Sequence, residues 1–142
     1  MDKVVSFLKF IFYISLLFLI VITLYPGSLL GLLLYGDPSI QPNLAENPYF
    51  TPIPIHLHTY ASIINHFIAY FFISMLGLCL YLRSHNFQKI VYGLFFSSIF
   101  LEFLQIIVPR RVFEIYDVSA NFAGVLVAYC LIEIYKFWNK DK

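Results

Sequence analysis

Charge is scarce in this chain. Nine Lys and Arg and eight Asp and Glu make up 12% of its 142 residues, against about 25% in soluble domains. A net charge of +1, with no basic stripe, excludes the many phosphate contacts that a nucleic-acid partner requires. Cysteine is scarce too. Cys79 and Cys130 form no CxxC pair, so neither a zinc knuckle nor a redox couple is expected. Both lie in apolar runs and are expected to be buried free thiols. There is no G-x-S-x-G, no H-E-x-x-H and no P-loop, which removes the usual signatures of a nucleophile elbow, a zinc protease and a nucleotide cradle. Internal repeats and low-complexity tracts are absent as well.

What the chain has in excess is apolar length. It is 61% hydrophobic, with mean hydropathy +0.81. A membrane helix needs about 20 mostly apolar residues, and four segments supply them: 4–25, 60–82, 90–108 and 118–137. These predict an all-α polytopic membrane protein, a single domain over 1–142. Lys3 and Lys9 precede the first apolar run as in a signal peptide. That run is longer than the roughly 7–15 residues of a signal core and no A-x-A-like site follows, so an uncleaved helix is expected.

Orientation follows from the basic residues. Lys3 and Lys9 mark the N-terminus, Arg83 and Lys89 the 83–89 connection, and Lys136, Lys140 and Lys142 the C-terminus. Segment 26–59 has no Lys or Arg and holds six of the seven prolines. Both termini are therefore expected in the cytoplasm, with 26–59 and 109–117 outside. The outer segment is expected to combine a short apolar run along the interface with a turn-rich, irregular stretch. Arg110 and Arg111 sit on the outer side, against the positive-inside bias.

They belong to the most polar stretch of the chain, "EFLQIIVPRRVFEIYDVSANFAG", residues 102–124. Helix rise is about 1.5 Å per residue, which sets Glu102 roughly 10 Å inside the outer end of the third helix. Gln105 shares its face at i+3. Asp117 opens the fourth helix, and Asn121 lies one turn deeper. His66 is two turns into the second helix. Helices at these positions bring His66, Glu102, Gln105, Asp117 and Asn121 to one cavity in the outer third of the membrane, capped by Arg110 and Arg111. A charge at the bilayer centre costs on the order of 3 kcal/mol on insertion scales, so Glu102 is expected to face the bundle. The alternative is a structural ion network of Glu102, Arg111 and Asp117. Asp117 also suits helix capping.

Other features read more simply. Ala120, Gly124 and Ala128 form a small-residue ridge for close helix contact. His56 and His58 form an H-x-H that, on an extended chain and with His66 and Glu102, would suit zinc. No second ligand motif accompanies it, so no metal and no cofactor are expected. Tyr70 is expected to pack, with a hydrogen bond into the site as the alternative. Ser74, Ser97 and Ser98 are expected to bond their own helix carbonyls.

The run Glu102-x-x-Gln105, Pro109-x-Arg111-x-x-Glu114-x-x-Asp117-x-x-x-Asn121-x-x-Gly124, with "NHFIAYF" over 65–71, resembles the VanZ-like family. The likeness covers roughly 60–128. It implies a small bacterial inner-membrane protein of four helices, in a family named after a teicoplanin-resistance protein. Carried over residue by residue, it marks His66, Glu102, Gln105, Arg111, Asp117, Asn121 and Gly124. Ser62 and Ile63 stand where family members often have Asp-Lys.

The expected function is an outer-facing site for membrane lipids: an envelope lipid or an amphiphilic glycopeptide. Arg111 and Arg110 would grip an anionic group. Gln105 and Asn121 would orient it, and Glu102, Asp117 and His66 would supply charge and proton exchange. A membrane-embedded hydrolase or transferase on a lipid-linked substrate, with Glu102 or His66 as acid-base, and an accessory structural subunit are the alternatives. A channel fits poorly, because the inner half has few polar residues.

Overall fold

The computed structural model is all-helical among the residues it describes, which are 2–25, 32, 36, 55–108 and 113–139, with backbone alone at 2 and 55–62. Four long helices, α1 (Asp2–Leu24), α2 (Ile55–Tyr81), α3 (Phe87–Gln105) and α4 (Ile115–Trp138), follow in order. Each is long and apolar enough to cross a membrane. The four expected segments are thus all present, with ends shifted by a few residues. The largest shift is in α2, which starts at Ile55. His66 is therefore three turns in, although the apolar span itself begins only at Ile63. Helical backbone over 55–60 also removes the premise of the H-x-H reading, because residues two apart do not share a helical face. Segment 26–54 lies almost wholly outside the described residues, as do Arg110 and Arg111.

Neighbours in sequence run antiparallel. The 82–86 connection is a tight turn in which the Ser84 and Phe87 backbone amides donate to Tyr81 and Ser84. α3 ends at Gln105, and the amides of 106–108 close a tighter turn onto the carbonyls of Phe103, Leu104 and Gln105. Pro109, next in sequence, cannot extend a helix in register.

Burial follows the helical period. Phe87, Val91, Leu94, Ser98, Leu101, Glu102 and Gln105 line the inner face of α3, and Asp117, Ala120, Asn121, Gly124, Val125, Ala128 and Ile132 that of α4. The outward faces carry Phe7, Phe18, Phe72, Tyr92, Phe96, Phe103 and Ile134. So much apolar surface on all four helices has no place in water and suits lipid. Cys79 and Cys130 are free but face outward with it, which corrects the expectation of burial. A thiol is apolar enough to lie in lipid at little cost.

The tightest pair is α2 with α4, and Gly124 shows why. A Cβ there would stand 2.5 Å from the Phe67 carbonyl oxygen and 2.9 Å from the Phe71 nitrogen. Two backbones touch at that point, flanked by buried Ala120 and Ala128. In lipid such contact between small residues drives helix association. α1 is held more lightly. Its Phe12 ring lies over Gly77, the Tyr13 and Tyr81 hydroxyls are 2.7 Å apart, and Lys9 sits 5.0 Å from the Tyr81 ring centre. All three contacts are at one end of the bundle.

Gly124→Ala is expected to destabilise by about 1–3 kcal/mol, since neither facing backbone atom can yield. Gly93→Ala, whose new Cβ meets nothing within 4 Å, should stay within about 0.5 kcal/mol. Thermal unfolding of both variants in detergent checks the pair. Equal melting temperatures would remove Gly124 as the point of closest approach.

Candidate functional site

The end of the bundle away from the Phe12 contact brings together His66 of α2, Glu102 of α3, and Asp117 and Asn121 of α4. Each helix contributes for a local reason. α2 and α4 are clamped at Gly124, one residue along from His66 on α2 (at Phe67) and three from Asn121 on α4. α3 turns its heptad-spaced inner face, on which Glu102 falls, toward both. Asp117 lies in the first turn of α4, where a negative charge complements the helix dipole. It is not the capping residue: Glu114 holds that position and makes no side-chain capping bond.

Asn121 is the hub. Its Nδ2 donates to Glu102 Oε1 at 3.1 Å. Its Oδ1 lies 3.0 Å from His66 Nδ1. An amide oxygen only accepts, so Nδ1 carries a proton. His66 Nδ1 is also 3.5 Å from Glu102 Oε1. The other ring nitrogen, Nε2, faces Asp117 Oδ2 at 3.4 Å. One imidazole thus bridges two carboxylates, with the amide fixing its orientation. Nε2 is the nitrogen left to exchange a proton or to ligate.

Burial sharpens this. Glu102 is 0% exposed and Asn121 1%, whereas the His66 side chain keeps 27% of its surface. Asp117 is also buried, and its Oδ1 has no hydrogen-bond partner among the described residues. His66, Glu102 and Asp117 each offer a ligand atom within 4.8 Å of the other two. Gln105 is buried on the Glu102 face of α3, but its side chain makes no hydrogen bond among the described residues, so it does not join the cluster directly. Arg110 and Arg111, expected to cap it, lie outside the described residues.

Tyr70 is buried, but its hydroxyl donates to the Ser97 carbonyl at 3.2 Å. It ties α2 to α3 instead of entering the site. Ser97 and Ser98 bond the carbonyls of Leu94 and Phe95, as expected. Ser74 does not: its buried Oγ has no partner among the described residues.

One feature of the site has no motif in the sequence. Between α1 and α2 at this end lies a groove of about 430 Å³, lined on α1 by Phe18, Leu19, Ile22 and Thr23 and on α2 by His66, Ala69 and Phe72. Its walls are mostly apolar and its one imidazole belongs to the cluster. It forms between residues of two helices far apart in sequence.

The VanZ/LLP1 family model matches residues 7–136, and the chain belongs to that family. No curated protein and no solved structure matches it.

Asn121→Leu removes two hydrogen bonds at once, one to buried Glu102 and one to His66, which should cost about 2–3 kcal/mol. Glu102→Gln keeps an acceptor at Oε1 and should cost less than about 1 kcal/mol. Chemical or thermal unfolding of the two variants measures the difference. A larger loss in Glu102→Gln would make the carboxylate a structural clamp.

Proposed function

We propose that this VanZ/LLP1 family member sits in the bacterial inner membrane with its polar cluster toward the extracytoplasmic side, where it holds the head of an envelope lipid or an amphiphilic glycopeptide. The observation that carries this reading is the double setting of His66. Its ring forms part of a mostly apolar groove of about 430 Å³, and its nitrogens are tied to Asn121 and Asp117. A chain lying in the groove brings its head group to the imidazole. Arg111, with Arg110, takes an anionic phosphate or carboxylate, which a planar guanidinium matches well. Gln105 hydrogen-bonds the head group. Asn121, its amide committed to His66 and Glu102, acts by positioning His66. Such a site fits a role in cell-envelope processes, glycopeptide resistance of the teicoplanin kind among them.

The His66 bridge also favours an enzymatic version. An imidazole oriented at Nδ1 and facing a carboxylate at Nε2 is arranged for general acid-base work. On a lipid-linked substrate it would serve a hydrolase or transferase, with Arg111 offsetting developing charge. Glu102 would hold Asn121, and through it His66, without touching substrate.

In nanodiscs exposed to bacterial envelope lipids, the wild-type protein should retain one lipid class that Ala69→Trp, which fills the groove, does not. Mass spectrometry of the bound lipids reads this. Identical lipid profiles for the two proteins would end the groove reading. A product of new mass, made by wild type and not by His66→Gln, would establish the enzymatic version.

Sidedness has its own test. With Cys79 and Cys130 replaced by Ser, Ile107→Cys should react with a membrane-impermeant maleimide in intact spheroplasts. Labelling only in inverted vesicles would put the cluster on the cytoplasmic side.

A further inference from the structure

We propose that His66, Asp117 and Glu102 form a site for a divalent transition-metal ion of the Zn²⁺ type, with Asn121 orienting the histidine ligand and one coordination position left for water or a ligand oxygen. Four observations converge on it. The ligand atoms come from three helices and lie within 4.8 Å of one another. His66 Nε2 and Asp117 Oδ2 are 3.4 Å apart, which is about the edge of a tetrahedron with metal–ligand bonds of roughly 2.1 Å. Asn121 Oδ1 binds the Nδ1–H of the same ring. Metal-ligating histidines have this arrangement, the far N–H held by an acceptor and the near nitrogen free to donate its lone pair. Finally, Asp117 Oδ1 is buried and without a hydrogen-bond partner among the described residues. Buried polar atoms are seldom left so, and a carboxylate that binds a cation loses this deficit.

Electrostatics point the same way. Glu102 and Asp117 bring two carboxylates close together inside an apolar bundle, where like charges repel strongly. A divalent cation between them offsets the repulsion and becomes the largest charge in the site. One imidazole and two carboxylates suit a first-row transition ion. Calcium would need six to eight oxygens, more than the cluster offers. Three protein ligands and one open position are the pattern of a site where metal meets a substrate or water. No sequence spacing announces it, because each ligand stands on a different helix.

The inference does not depend on lipid binding, and its test uses none. The full chain in detergent, stripped with a chelator, is titrated with Zn²⁺ against a chromophoric competitor, and with Co²⁺ by visible absorption. The expected result is about one ion per chain and the intense Co²⁺ bands of a four-coordinate N/O site. His66→Gln and Asp117→Asn should each weaken Zn²⁺ binding at least about 100-fold, and Asn121→Ala about 10- to 100-fold. The His56→Gln/His58→Gln double variant should bind as wild type does. Circular dichroism confirms which variants fold. If His66→Gln does not, the wild-type Co²⁺ spectrum and the double variant still decide. Wild-type protein that takes up no stoichiometric metal would overturn the proposal. So would binding that depends on His56 and His58, or that survives without His66.

Discussion

The contact of two backbones at Gly124 sets the geometry of everything around it. Phe67 and Phe71 of α2 approach α4 there so closely that no Cβ fits between them. Water cannot drive such an approach in lipid, where apolar side chains gain nothing by leaving the acyl chains. Close packing and polar contacts must do so instead. Once α2 and α4 touch at Gly124, His66 and Asn121 lie on neighbouring positions of the two helices and their side chains meet at hydrogen-bond distance. A wider helix pair would leave the imidazole and the amide to seek separate partners.

That constraint also explains how Glu102 is tolerated. A carboxylate with no exposed surface is costly to desolvate unless hydrogen bonds and opposite charge meet it. The Asn121 amide donates to it at 3.1 Å and the His66 ring lies within 3.5 Å. The polar cluster therefore depends on the apolar packing below it, and in turn ties α3 to the α2–α4 pair. α1 stands outside this arrangement. Its firm contacts, Phe12 on Gly77 and Tyr13 with Tyr81, lie at the opposite end. Nothing in the cluster requires it, and the groove beside His66 lies between it and α2.

The sequence shows its elements unevenly, for physical reasons. Four membrane helices are legible because apolar length is a one-dimensional property, and a span of about 20 residues leaves little room for error. Glu102, Asp117 and Asn121 are legible because polarity is expensive in lipid and so stands out. The small ridge at Ala120, Gly124 and Ala128 is legible from spacing on one helix. The H-x-H of His56 and His58 misleads, because its meaning depends on whether the backbone is extended or helical, and α2 runs through it. The cysteines mislead for another reason. An apolar run has a core side and a lipid side of nearly equal hydrophobicity, so hydropathy cannot say which way a thiol points.

Sequence alone determined that this chain is a four-helix membrane protein and that its polar residues gather near one end of the bundle. Both follow from the cost of placing charge and unpaired backbone in hydrocarbon, a cost summed residue by residue along the chain. Tertiary structure decided how those residues relate. That Asn121 stands between Glu102 and His66, that His66 Nε2 turns to Asp117, that Gln105 does not reach them and that α1 leaves a groove beside the imidazole all depend on helix crossing and rotation. These are fixed by contacts between residues 19 to 57 positions apart, such as Asn121 against Glu102 and Gly124 against Phe67, and no local pattern encodes them.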